Sequence, residues 1–280
     1  MWLILALMTA VFWAIGSVVI KKAVGQMPKK VVYFSNALFF LIGWLIYWKV
    51  SGGFIWNWKS LLLAIGPGVG FAYALMALSK ADAGLVTSIG SIHPAITAIL
   101  AVALLGEKLT GLQMGMILLI IAGAVVMSWP HSAKATRGRP MAWVWWGVGF
   151  GLLSGLNNFM SKIGIGLTNT VSYSLMIAWF QITFGLVWLM IGKGGKEVFK
   201  LFKKENRIGL VGTGIYNVGS ISLFLAIGLG QVSLVMPVVV LYVPLILILA
   251  AWWLGEKTTG RQKIGAGVII SSVILLSLIS

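Results

Sequence analysis

Apolar residues run along this chain in stretches of about twenty, the length a helix needs to cross a hydrocarbon core. Ten such spans fit: Trp2–Val24, Val31–Val50, Ser60–Leu78, Ala83–Leu105, Thr110–Trp129, Trp143–Ile165, Val171–Ile191, Ile208–Leu229, Val232–Leu254 and Thr259–Ile279. Polar residues concentrate in the short connectors between them. The pattern predicts an all-α integral membrane fold of ten transmembrane helices, because helices satisfy their own backbone hydrogen bonds inside lipid. The first stretch has no basic start and no small-residue cleavage site, so it reads as a mature helix rather than a signal peptide.

One connector sequence occurs twice. Leu105-Gly-Glu-Lys-Leu-Thr-Gly-Leu-Gln113 returns as Leu254-Gly-Glu-Lys-Thr-Thr-Gly-Arg-Gln262, 149 residues on, with seven of nine positions identical. A weaker correspondence joins Trp13-Ala-Ile-Gly-Ser-Val-Val-Ile-Lys21 to Ser154-Gly-Leu-Asn-Asn-Phe-Met-Ser-Lys162. The chain therefore divides into a five-helix repeat over residues 1–131, a basic, Pro-containing linker over 132–140 that His131 introduces, and a second five-helix repeat over 141–280. Five is odd, so the second repeat enters from the opposite side, and the two repeats are expected to be inverted.

Composition agrees with a lipid environment: 60% of residues are hydrophobic and 9% charged, against about 25% charged in soluble domains. The formal charge is +16. These cations sit in connectors, so the expected partner is the lipid bilayer surface and not nucleic acid. Connectors 1/2, 3/4, 5/6, 7/8 and 9/10 hold seventeen Lys and Arg; the other side holds only Lys49, Lys59, Lys108 and Lys162. The positive-inside rule then places both termini outside a cell membrane. Trp2, Trp44, Trp48, Trp56, Trp58, Trp129, Trp143, Trp145, Trp252 and Trp253 flank the spans as an interfacial belt would. Cysteine is absent, which excludes disulfides and thiolate metal sites, and His93 and His131 lie too far apart for a zinc motif. No cofactor and no metal are expected.

Within the repeated corner, Gly106 and Gly255 suit helix ends in the left-handed conformation. Thr110 with Gln113, and Thr259 with Gln262, have capping-box spacing. A tight, capped hairpin is favoured over a role for Glu107 and Glu256 in binding substrate or protons. Pro94 in helix 4, and Pro237 and Pro244 in helix 9, free backbone carbonyls, as does Gly66-Pro-Gly-Val-Gly70 at the start of helix 3. Packing kinks and a cavity wall both account for them, and the equivalent places of helices 4 and 9 favour the wall. Gly147, Gly149, Gly151 and Gly155 on helix 6, and Gly209, Gly212, Gly214 and Gly219 on helix 8, permit close helix approach.

Deep polar residues carry the functional reading. They are Ser17, Asn36, Tyr73, Ser91, His93, Asn157, Asn158, Ser161, Gln181, Tyr216, Asn217, Ser220 and Tyr242. Singly each serves as interhelical glue; together they suggest a polar-aromatic chamber near the midplane, with His93 and Tyr242, which align under the 149-residue offset, on opposing walls. Asp82, Glu107, Glu197, Glu205 and Glu256 all fall in connectors or at helix ends, which disfavours a carboxylate-driven cation antiporter. His93 is the one deep side chain that titrates near neutrality when unperturbed, so it is the candidate for proton coupling, although a neutral hydrogen-bonding role fits better. Lys21 and Lys162 are expected to snorkel to headgroups, the alternative being attraction of an anionic group at a cavity mouth.

The paired Leu-Gly-Glu-Lys-x-Thr-Gly-x-Gln corners, each before a final apolar helix, together with the Trp13 to Lys21 segment, resemble the EamA repeats of the drug/metabolite transporter superfamily. The resemblance covers nearly the whole chain. It implies a ten-helix carrier with alternating access, whose cavity is lined mainly by helices 1, 3, 4, 6, 8 and 9, and whose relatives move amino acids, sugars, nucleotide derivatives, choline-like amines or drugs. Asn157–Asn158 stand where the family has a Gly-Ser pair, so the two cavity halves are not expected to be strictly symmetric.

The sequence thus points to a secondary transporter, not an enzyme, for a small polar or amphipathic metabolite. Trp13, Ser17, Tyr73, His93, Asn157, Asn158, Tyr216, Asn217 and Tyr242 would line the site. Aromatic faces would pack on apolar parts of the substrate and attract a cationic group, while amides and hydroxyls read its polar groups. A lipid-linked-sugar flippase is the alternative. An integral-membrane enzyme is disfavoured because its acids and His131 are scattered, and a channel because no ring of charges appears.

Overall fold

The computed structural model describes residues 1–23, 28–80, 90, 92–128, 142–191 and 207–280. The expected linker 132–140, together with His131, Ser91, Asp82, Glu197 and Glu205, lies outside the described residues. The described chain is helical: α1 (Trp2–Ala23), α2 (Lys29–Ser51), α3 (Trp58–Lys80), α4 (His93–Leu105), α5 (Gly111–Ser128), α6 (Ala142–Leu167), α7 (Thr170–Met190), α8 (Arg207–Leu229), α9 (Val232–Val239), α10 (Tyr242–Trp253) and α11 (Gly260–Leu278). Six described helical runs are long and apolar enough to cross a membrane, Val232–Trp253 among them, and His93–Leu105 and Gly111–Met127 are shorter apolar helices. Since α9 and α10 share one of these runs, the described residues form ten helical runs.

That span was expected to be one continuous helix. It breaks instead at Val240–Leu241, three residues after Pro237 and three before Pro244. Pro244 cannot donate to the carbonyl of Val240, and Val243 N–H takes up that carbonyl at 2.9 Å in a tighter turn. The new helix begins at Tyr242, and α4 begins at His93: the two residues that the 149-residue offset pairs both open a helix.

The repeated corners form as their residues dictate. Gly106 and Gly255 take φ of 68° and 66°, a region a side chain enters only with strain. Thr110 N–H donates to Gln113 Oε1 at 2.9 Å, and Gln113 N–H returns a bond to Thr110 Oγ1 at 3.2 Å. Thr259 and Gln262 repeat this box, so both α5 and α11 start with two of their orphan amides satisfied.

The chain forms two compact units, residues 1–72 with 160–230, and residues 73–159 with 231–280. Each draws on both halves of the sequence. In the first, α1 lies antiparallel to α8: Gly212 faces Ile20, Gly16 faces the backbone of Tyr216, and Gly219 faces Trp13. There α2 runs antiparallel to α7, tied at one end by Lys30 Nζ donating to the carbonyl of Ile191. At the other end Asn169 Nδ2 donates to the Gly53 carbonyl at 2.6 Å, and Ile55 N–H to Ser172 Oγ at 2.8 Å. In the second unit α5 and α11, the last helices of the two halves, are antiparallel and cross where Gly123 and Gly265 meet. Gln113 Nε2 reaches the Ile279 carbonyl at their shared end, 3.3 Å away.

The tryptophans expected in an interfacial belt differ in exposure. Trp56, Trp58, Trp145, Trp252 and Trp253 are exposed, whereas Trp44 is fully buried. Its ring is enclosed by Phe40, Tyr47 and Phe224.

Candidate functional site

In the first unit the structure brings four of the expected residues to the α1–α8 contact. Trp13 and Tyr216 stack face to face, 5.3 Å between centroids and 4° from parallel. A Cβ on Gly16 would lie 2.7 Å from the Tyr216 backbone nitrogen, so only glycine lets α8 come close enough for the rings to meet. Trp13 Nε1 donates to Ser220 Oγ at 3.1 Å, which locks the indole in that plane. Ser17 follows Trp13 by one turn on α1 and is half-buried. Phe71 of α3 lies 6.1 Å from Tyr216 and 6.0 Å from Tyr33 of α2, extending the aromatic surface across four helices. Phe71 and Tyr33 carried no polar signal that singled them out in the sequence.

Beside this stack Asn217 is buried. Its Nδ2 donates to Asn36 Oδ1 at 2.9 Å, to the Asn36 carbonyl at 3.2 Å and to the Thr213 carbonyl at 2.9 Å. Three acceptors converge on two amide hydrogens, while Asn217 Oδ1 has no partner among the described residues. Gln181 Oε1 on α7 is likewise buried without one. Acceptors of this kind in an apolar span call for a water or a ligand donor.

The second unit holds the other five. Tyr73 stands against Trp146, ring centroids 5.3 Å apart. A Cβ on Gly149 would fall 2.2 Å from the Tyr73 hydroxyl oxygen, so the glycine makes the notch that this phenol occupies. His93 is buried at the start of α4, and its Nδ1 has no partner among the described residues. Thr97 Oγ1 donates both to the His93 carbonyl at 2.9 Å and to the Gly155 carbonyl at 3.1 Å, fastening α4 to α6. Asn157 and Asn158 are half-buried two and three residues further along α6, and Tyr242 is half-buried at the start of α10.

Two charged groups do what the sequence alone did not show. Glu107 does more than mark a hairpin: its carboxylate accepts from Val232 N–H at 3.0 Å, from Ser233 N–H at 2.9 Å and from the Ser233 hydroxyl at 2.5 Å. It caps α9, 125 residues downstream, and a carboxylate there complements the helix dipole. Lys162, expected to snorkel, donates instead to the carbonyls of Ile227 and Gly230 at 2.8 and 2.7 Å, closing the last turn of α8. The acid holds the amides that open one helix, and the base holds the carbonyls that end the one before it.

Helix 3 resolves the question its proline raised. Pro67 lies inside α3 and leaves the Leu63 carbonyl without its helical donor. The Tyr173 hydroxyl donates to that carbonyl at 3.2 Å, and the Tyr33 hydroxyl to the Gly68 carbonyl at 2.7 Å. Both phenols are fully buried. Phe180 packs close on Gly68, so packed side chains surround the proline turn and two of them satisfy its carbonyls.

A family model described as the EamA-like transporter family matches residues 1–129. An uncharacterized protein of Methanocaldococcus jannaschii is 33% identical over 130 residues, which is 45% of this chain and 95% of that relative. That relative is therefore about as long as one of the two expected halves. A solved crystal structure of a protein, 14% identical, superposes with a TM-score of 0.76 over 99% of this chain and 96% of its own, which shows a shared fold. The corner motif, the apolar helical spans and the family match agree: the chain is a multi-pass membrane protein that belongs to the EamA-like transporter family.

Proposed function

We propose that the protein is a secondary transporter that carries a small polar or amphipathic metabolite across the cell membrane by alternating access between two inverted repeats. The observation that carries this reading is the Trp13–Tyr216 stack beside the buried Asn36–Asn217 pair. A flat aromatic surface and amides with an unfilled acceptor, held inside apolar spans, suit a solute with both apolar and hydrogen-bonding faces. Trp13, Ser17, Tyr216 and Asn217 in the first unit, and Tyr73, His93, Asn157, Asn158 and Tyr242 in the second, handle the substrate. His93 carries any proton coupling. Pro94, Pro237 and Pro244 supply hinges, and the break at Val240–Leu241 supports such a hinge in the second repeat.

The test starts from purified protein screened by thermal shift against amino acids, sugars, nucleosides and quaternary amines, since a ligand of the folded state raises Tm. The reading expects one chemical class to stabilise the protein and then to exchange by saturable counterflow in proteoliposomes. Stabilisation by none of the four classes, with no counterflow, counts against it.

A further inference from the structure

A groove of about 600 Å³ runs along the α10–α11 hairpin, and none of the candidate transport residues lines it. Its walls are Leu247, Ile248, Trp252 and Ile270, and Lys263 lines it as well. Its floor is low because Ala266 and Gly267 carry little or no side chain; a Cβ on Gly267 would meet nothing within 4 Å. Trp252 is 81% exposed beside it, the position of a ring at headgroup depth. The connector at this end brings Lys257, Arg261 and Lys263 against a single acid, Glu256.

We infer that this groove is a binding site for an anionic phospholipid, with an acyl chain along the apolar walls and the headgroup phosphate on Lys263. The reasoning is one of chemistry at two depths. Lipid tails fill apolar grooves on a membrane-facing surface. A cation at the mouth selects among headgroups by charge, because each Lys near a membrane surface attracts acidic lipid while its stem packs on the apolar wall. The charge excess at this corner sets the sign of the preferred lipid. The connector belongs to the side that the Lys and Arg distribution places in the cytoplasm, where acidic lipids are enriched.

Delipidated protein in mild detergent would be titrated with dioleoylphosphatidylglycerol, dioleoylphosphatidylcholine or inorganic phosphate, following Tm and the mass by light scattering. The expected result is half-maximal stabilisation by phosphatidylglycerol at an about fivefold lower concentration than by phosphatidylcholine, and none by phosphate. Lys263→Glu should abolish the difference between the lipids. Gly267→Leu, which fills the floor, should weaken both lipids, and Lys59→Gln, outside the groove, should leave the preference intact. Equal response to the two lipids, or a preference that survives Lys263→Glu, overturns the proposal. So does a wild-type dimer that Gly267→Leu dissociates, because the groove would then belong to a second copy of the chain.

Discussion

Trp13 and Tyr216 stack with their rings 4° from parallel and their centroids 5.3 Å apart, on helices that come from different halves of the chain and meet at Gly16. The stack depends on backbone proximity, so it responds to a single added methyl group. Gly16→Ala places a Cβ 2.7–2.8 Å from Tyr216 and forces α1 from α8. The expected cost is about 1–3 kcal/mol, read as a fall in Tm in detergent. Gly115→Ala, whose Cβ meets nothing within 4 Å, should instead be neutral or stabilise by about 0.5–1 kcal/mol. Equal effects of the two substitutions would show that the α1–α8 approach is not tight.

The phenol of Tyr173 has a job created by Pro67. Tyr173→Phe leaves the Leu63 carbonyl buried without a donor, at a cost of about 1–3 kcal/mol. Pro67→Ala restores a backbone N–H that can reach Leu63, so Tyr173→Phe should cost clearly less in that background. A double-mutant cycle on thermal or denaturant stability measures the coupling. Additive effects would mean that the hydroxyl does not serve that carbonyl.

Glu107 is a cap on α9 before it is anything else. Glu107→Ala removes the acceptor of three hydrogen bonds and should destabilise by about 1–3 kcal/mol. Ser233→Ala, which deletes one of those donors, should cost less, and the double variant less than the sum. Glu107→Gln keeps an acceptor oxygen and should fall between wild type and Glu107→Ala. If Glu107→Ala left Tm unchanged, the bonds to Val232 and Ser233 would carry no net stability.

Local chemistry was legible in the sequence. Gly106, Gly255, Thr110, Gln113, Thr259 and Gln262 act within a few residues of themselves, so their spacing alone specifies the helix ends. The 149-residue offset even paired His93 with Tyr242, which both open helices. Partners far along the chain left no such mark. Nothing near Lys162 signals the carbonyls of Ile227 and Gly230, and nothing near Tyr173 signals Pro67. Trp44 looked interfacial because it lies near a span end, but Phe40 and Phe224 cover it from neighbouring turns and a neighbouring helix. Of the candidate site, residue types and depth were readable; the stack of Trp13 on Tyr216 and the pairing of Asn217 with Asn36 required the packing of helices remote in sequence.

The central claim is that these aromatic and amide groups contact a transported solute. Counterflow into proteoliposomes, using the solute that thermal-shift screening selects, tests it with one variant from each unit, Trp13→Ala and His93→Ala, both checked for a folded state by size exclusion. Saturable exchange in the wild type that falls about tenfold or more in each variant, the loss expected for removing one buried aromatic or hydrogen-bonding contact, is the predicted result. Exchange that runs at the wild-type rate in both variants would contradict the account.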